Sequence, residues 1–137
     1  VFTNGNEEQY QYLKPSAMRL GAAFQKVNFL RDIQADFDGM GRTYFPGVNF
    51  ENFNHNQKIE IEKDIRADFD TALIGIKQLP KSSRLGVYAA YRYYTALFQK
   101  ITMLTPQRIM NERIRISNPR KLWLTCRCFL KLRLNLL

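Results

Sequence analysis

Asp32 and Asp36 stand four residues apart in the stretch Gln25 to Pro46, QKVNFLRDIQADFDGMGRTYFP, with Asn28 one turn ahead of the first aspartate. At about 100° per residue, Gln25, Asn28, Asp32 and Asp36 share one narrow stripe of a helix, while Leu20, Ala23, Val27, Leu30, Ile33 and Phe37 take the opposite side. Two carboxylates on one helical face offer hard oxygen ligands suited to Mg²⁺, an ion that keeps several waters and borrows oxygens from a substrate diphosphate. Asn28 can add a neutral carbonyl ligand or hydrogen-bond a metal-bound water, and Gln25 would sit one layer further out. Arg31 projects more than a quarter-turn away, so its part is to steer a carboxylate or meet a phosphate. Just beyond, Arg42 and Tyr44 occupy a glycine-flanked loop able to fold over a diphosphate, with the guanidinium as a two-pronged donor. Paired acids also occur on solvated helix faces as i,i+4 salt-bridge partners, so the spacing alone carries little. The weight falls on its company: Asn28, the adjacent Arg31-Asp32 and the following G-R-x-Y-x-P.

These groups need rigid elements behind them. The pattern predicts a short helix over Glu7 to Leu13, then the main helix from Pro15, whose missing N–H costs nothing in a first turn, to Phe37. Asp38, Gly39, Gly41, Pro46 and Gly47 make a turn-rich loop, continued by four asparagines between Asn49 and Asn56, which is ordered only if something holds it. From Gln57 to Leu79, the residues Ile61, Ile65, Phe69, Ala72, Leu73, Ile76 and Leu79 recur at helical spacing, and Pro80 stops the run. A third helix is expected from a cap at Ser82 or Ser83 to about Leu104, apolar nearly all round and therefore buried. Pro106 opens a short helix to about Asn111. Pro119 opens another toward the terminus, where the alternation from Leu130 to Leu136 also fits a strand, although a lone strand would lack a partner. The fold class expected is all-α, an antiparallel array of helices with residues 1–137 in a single domain.

The composition agrees: 137 residues, 45% hydrophobic and 13% aromatic, suit one folded domain. The net charge of +9 is lopsided, with 9 Lys/Arg against 11 Asp/Glu in residues 1–80 and 12 against the lone Glu112 thereafter. That asymmetry suggests an anionic partner, whether nucleic acid, an acidic membrane surface or a phosphorylated ligand. Cys126 and Cys128, with only His55 elsewhere, are too few for a closed zinc site and too close for a typical structural disulfide, so both read as reduced thiols of a cytoplasmic protein. The chain opens on Val1 with no initiator Met, charged leader or long apolar run, and is expected to be a piece of a longer protein.

The string N-x-x-R-D-x-x-x-D followed by G-R-x-Y-x-P, carried by Asn28, Arg31, Asp32, Asp36, Gly41, Arg42, Tyr44 and Pro46, resembles the second aspartate-rich motif of the squalene and phytoene synthase family. The preceding LGAAFQKVNFL, the aromatic AAYRYYTALF and the basic NERIRISNPRKLWL are similar to helices of the same family, so the resemblance covers most of the chain. It implies an all-helical isoprenoid-synthase fold and Mg²⁺-assisted, head-to-head joining of two allylic prenyl diphosphates with loss of pyrophosphate. By the same resemblance Tyr93 is a candidate active-site tyrosine and Arg113 a candidate phosphate-contacting arginine. Position 35 is Ala, where many members place a Glu, and the family's first aspartate motif is expected in an amino-terminal half that precedes this chain. The isolated chain is therefore expected to be inactive. The chemistry also asks for a dry apolar tunnel, for which Gly21, Ala22, Tyr91, Tyr94 and Phe98 are candidates, core packing being the alternative for the aromatics.

Geranylgeranyl diphosphate, and hence a phytoene-type product, is favoured because no nicotinamide signature G-x-G-x-x-G occurs; a farnesyl-using squalene or dehydrosqualene synthase is the alternative. Greasy substrate and product imply peripheral membrane contact by the basic carboxy-terminal helix. A different class, a non-catalytic module tracking nucleic acid through Arg108, Arg113, Arg115 and the bases beyond, lacks any helix-turn-helix or stacking platform.

Overall fold

Asn6 begins the first helix: its Oδ1 accepts from Gln9 N at 2.9 Å, and Glu7 and Glu8 place negative charge at the positive end of the helix dipole. The turn before it needs left-handed backbone, supplied by Asn4 (φ 52°) and Gly5 (φ 80°). In the computed structural model, which describes residues 3–33, 44–48, 50–117 and 123, helix α1 then runs unbroken over Glu7–Asp32. The break expected at Pro15 does not occur, since Pro15 lies inside the helix. Tertiary packing overrides the lost hydrogen bond: Leu13 before it is buried, and Ser16 after it lies against Gly75 of the next helix. The expected continuation to Phe37 lies outside the described residues, as do the segments after Pro119 and the two cysteines.

Helix α2 (His55–Gln78) carries a reciprocal cap, with Gln57 N donating to Asn54 Oδ1 at 3.0 Å and Asn54 N to Gln57 Oε1 at 3.2 Å. It buries Ile61, Ile65, Phe69, Ala72 and Ile76, the stripe its periodicity predicts. Helix α3 (Lys81–Thr102) starts at once after Pro80, and neither Ser82 nor Ser83 caps it. Instead Ser83 Oγ donates to Pro80 O at 3.2 Å from within the first turn, and the Arg84 guanidinium ties down Leu79 O at 2.6 and 2.9 Å. Nor is α3 buried all round: Tyr88, Tyr91, Leu97, Phe98 and Ile101 are covered, whereas Gln99 and Lys100 are exposed, because α1 and α2 flank one side of it. Helix α4 (Pro106–Asn111) follows, capped by Thr105, with Pro106 in its first turn as expected.

The cross-contacts give the topology. Gln9 meets Gln78, Ser16 meets Gly75 and Lys26 meets Asp64, so α1 and α2 are antiparallel. Lys58 Nζ donates to Thr102 O at 3.0 Å while Phe69 faces Tyr91, so α2 and α3 are antiparallel as well. Gly75 permits the close approach, for a Cβ there would lie 2.4 Å from Ser16 Cβ. The result is an up-down-up array of helices, with no strand among the described residues. The loop before α2 is held by its own aromatics: Phe45, Phe50 and Phe53 are buried, and Phe29 of α1 packs edge-on to Phe50 at 5.2 Å. A single turn of 3₁₀-helix, Phe50–Asn52, stands inside this segment.

Candidate functional site

Val27, Leu30 and Ile33 are completely buried, and Asn28 and Asp32 lie on the opposite side of α1. After α4 the chain becomes extended and returns to the end of α1, where Ile114 N donates to Arg31 O at 3.4 Å. Burial of Ile114 and Ile116 anchors that return and delivers Arg113 to Asp32. Arg113 Nε stands 2.9 Å from Asp32 Oδ1, at ion-pair distance but off-line for a hydrogen bond, and its side chain is 56% exposed. On the other oxygen, Arg31 Nε donates to Asp32 Oδ2 at 2.9 Å and its Nη2 contacts the same atom. Asn28 Oδ1 and Asp32 Oδ1 are thus both buried atoms without a hydrogen-bond partner, one helical turn apart.

The electrostatics follow from the two cations. Arg31, chiefly by its hydrogen bond, holds the Asp32 carboxyl below the usual carboxylate range; burial works against this, and the charges of Arg31 and Arg113 reinforce it. Hydrogen bonding to Asp32 in turn raises the Arg31 guanidinium. Because Asp32 has a lower pKa folded than unfolded, its stabilisation is complete above roughly pH 4 and is lost as pH falls through the folded value. Melting temperatures taken between about pH 5 and pH 3 should therefore fall less steeply for Arg31→Met than for the unaltered chain.

Tyr93 lies half-buried on α3, edge-on to Tyr94 at 5.4 Å, and both phenols are near enough to Arg31 to influence it. Tyr44 packs against Phe29 at 5.8 Å, in the aromatic cluster that anchors the loop. Asp36 and Arg42 fall outside the described residues. The structure thus gathers Asn28, Arg31, Asp32, Arg113 and Tyr93 around the end of α1. Of the bases that could have tracked nucleic acid, Arg108 is paired with Glu112 at 3.0 Å and Arg113 with Asp32.

Between the three long helices, at the amino-terminal end of α1, lies an apolar cavity of about 460 Å³. Ala17, Leu20 and Phe24 of α1, Gly75 and Ile76 of α2, and Val87 and Ala90 of α3 contribute to its wall. Gly21 and Ala22 do not: Gly21 is exposed with nothing near it, because one residue of helical rotation turns it off the wall shared by Ala17, Leu20 and Phe24. Tyr91 and Phe98 are core residues against Phe69, at 5.6 and 5.9 Å, whereas Tyr94 stacks at 4.0 Å on the cavity residue Phe24.

Sequence reasoning passed over one group. Asp68 is 1% exposed and accepts from Lys26 Nζ at 2.6 Å and Arg19 Nη1 at 3.0 Å; Lys26 also reaches Asp64 at 2.5 Å. The signal was present: Asp68 follows Ile61 and Ile65 by seven and three residues, squarely on the buried stripe of α2.

Asn28 and Asp32 offer what a hard cation takes, neutral and anionic oxygens with unspent lone pairs, and so fit Mg²⁺. No trio of His, Cys, Asp or Glu side chains suited to a metal occurs among the described residues, so the described part of the set is these two oxygens. No helix among the described residues is long and apolar enough to cross a membrane. A squalene/phytoene synthase family model matches residues 3–120 of the 137. No curated protein and no solved structure matches the chain.

Proposed function

This chain belongs to the squalene/phytoene synthase family, and from that premise we propose that it forms the Asn28–Asp32 wall of a site joining two prenyl diphosphates head to head. The observation that carries the reading is the pair of buried oxygens one turn apart, Asn28 Oδ1 with no hydrogen-bond partner and Asp32 Oδ1 met only by the ion pair with Arg113, with Arg31 on the other carboxylate oxygen. Family membership indicates a prenyltransferase. The finer assignment proposed is phytoene-type, with two geranylgeranyl diphosphates; a farnesyl-using squalene type is the other arm of the test.

Asn28, Asp32 and Asp36 would hold Mg²⁺, which when bound supplies Lewis-acid stabilisation of the departing pyrophosphate. Arg31 orients the Asp32 carboxylate. Arg113, exposed and joined to Asp32 by a single off-line contact, is free to turn its guanidinium onto diphosphate oxygens as they arrive. Arg42 and Tyr44 are proposed to close over the same diphosphate, and Tyr93, near Arg31, to border the reacting end. The apolar lining of the cavity suits a prenyl chain. The sequence has a second D-x-x-x-D, Asp64 and Asp68, but both are committed to Lys26. Turnover is therefore proposed for the protein that also carries the facing aspartate motif, while this chain alone binds Mg²⁺ with diphosphate.

With that protein, Mg²⁺ and geranylgeranyl diphosphate should release pyrophosphate and yield a C40 hydrocarbon. Release with farnesyl diphosphate alone would move the assignment to the squalene type, and release with neither would overturn it. Peripheral attachment to anionic membranes by the basic carboxy-terminal segment is proposed as well, with flotation on liposomes as its check.

A further inference from the structure

Lys26 and Asp68 lie in the interface between α1 and α2, away from the cavity and from Asp32. Asp68 is 1% exposed, the Lys26 side chain is 13% exposed, and the two are 2.6 Å apart, with Arg19 completing the carboxylate's partners at 3.0 Å. Charges buried between helices are seldom the most stabilising choice, since apolar side chains of similar volume hold helices together as well or better. What they add is direction: a carboxylate accepting from two cations sets rotation and register, which apolar surfaces leave freer to slip.

Rotation matters on this helix. Arg19 and Lys26 are seven residues apart and share one edge of α1, roughly 120–180° around the axis from Asn28 and Asp32 at 100° per residue. Other contacts of α1 with α2 are Gln9 on Gln78 and Ser16 against Gly75, both toward the amino-terminal end of α1, and the apolar rings of Phe24 and Phe69 at 6.4 Å, none of which fixes direction as a buried carboxylate between two cations does. A rotation of one residue step would move Asn28 and Asp32 off their common direction and separate Asp32 from Arg113, which hangs from a different part of the chain. We infer that Asp68 and Lys26 are positioning residues, whose buried ion pair sets the rotation of α1 so that Asn28 and Asp32 present their oxygens together to the metal-bound diphosphate. The second half of that statement rests on the proposed function; the first does not.

The test replaces the pair with apolar side chains, Lys26→Met with Asp68→Leu, in the full chain. Two nitroxide labels, at exposed Gln25 of α1 and exposed Lys63 of α2, report rotation by their distance distribution, with Cys126 and Cys128 changed to Ser. Calorimetric titration with Mg²⁺ and inorganic pyrophosphate reports the site. The unaltered pair should give one narrow distance, and the apolar pair a shifted or broadened one at a melting temperature within a few degrees, with pyrophosphate binding weakened about tenfold. Lys26→Arg should retain both properties. An unchanged distance distribution in a folded apolar variant overturns the inference. Should that variant not fold, Lys26→Arg with Asp68→Glu lengthens both arms while keeping the charges; a shifted distance then supports the inference and an unchanged one overturns it. If the distance shifts but the unaltered chain binds no Mg²⁺–pyrophosphate, the rotational role stands and the proposed function fails.

Discussion

Asp32→Asn should abolish most turnover in the protein carrying both aspartate motifs, by about 100-fold or more, while leaving the helices folded. Loss of one group that holds the charge-stabilising elements of a preorganised site typically costs about that much. The same substitution removes the anion that the Arg31 and Arg113 guanidiniums face, so the site loses its proposed metal-binding carboxylate and the restraint on both arginines together. The structural cost is smaller: the Asp32 side chain sits at the rim, 15% exposed, and its hydrogen bond to a charged partner accounts for about 1–3 kcal/mol. Pyrophosphate release and circular dichroism on the same preparation check both halves. Turnover within about threefold of the unaltered protein would remove Asp32 from the mechanism.

Ile65→Ala should do the reverse. Ile65 is wholly buried on the stripe of α2 that faces the other helices, and truncating such a side chain costs about 2–5 kcal/mol through lost transfer energy and the cavity left behind. A chain of this size should melt roughly 10 °C lower, read by thermal unfolding. Below that temperature the affinity for Mg²⁺ and pyrophosphate should be little changed, because Ile65 lies in the core of α2, whereas Asn28 and Asp32 lie on the side of α1 opposite its buried residues. A melting point within about 2 °C of the original would mean that Ile65 is not part of a packed core between the helices. Together the two variants separate the site from its scaffold.

Helix α2 was readable from sequence because its apolar stripe is strict and Pro80 stops it, but its start at His55, two residues before the expected Gln57, is set by the Asn54 cap, a residue expected in the loop. Helix α1 was misdivided at Pro15 because the local rule for proline is true but small beside packing on both flanks, which only the fold reveals. Serine caps for α3 were expected by residue type, yet Pro80 lets the helix begin before either serine is reached. The Asn28–Asp32 stripe was legible as one face of one helix. Its engagement by Arg113 was not, since that contact spans 81 residues and depends on the chain reversing after α4. Asp68 was overlooked for the same reason: a buried carboxylate is recognisable by its partners, and Arg19 and Lys26 lie 49 and 42 residues away.

Pro15 also divides α1 dynamically. With no N–H at residue 15, the carbonyl of Gln11 has no helical donor, and the turns before it are tied down mainly by the Asn6 cap, the Gln9–Gln78 hydrogen bond and Leu13. The turns that carry Asn28 and Asp32 are backed by Val27, Leu30 and Ile33, all fully buried. Local opening should accordingly release the first two turns alone, and amide exchange at residues 8–14 should run at least about tenfold faster than at residues 23–32. On that pattern the helix would unzip from the end that borders the cavity, loosening the cavity wall while the turns that carry Asn28 and Asp32 stay closed.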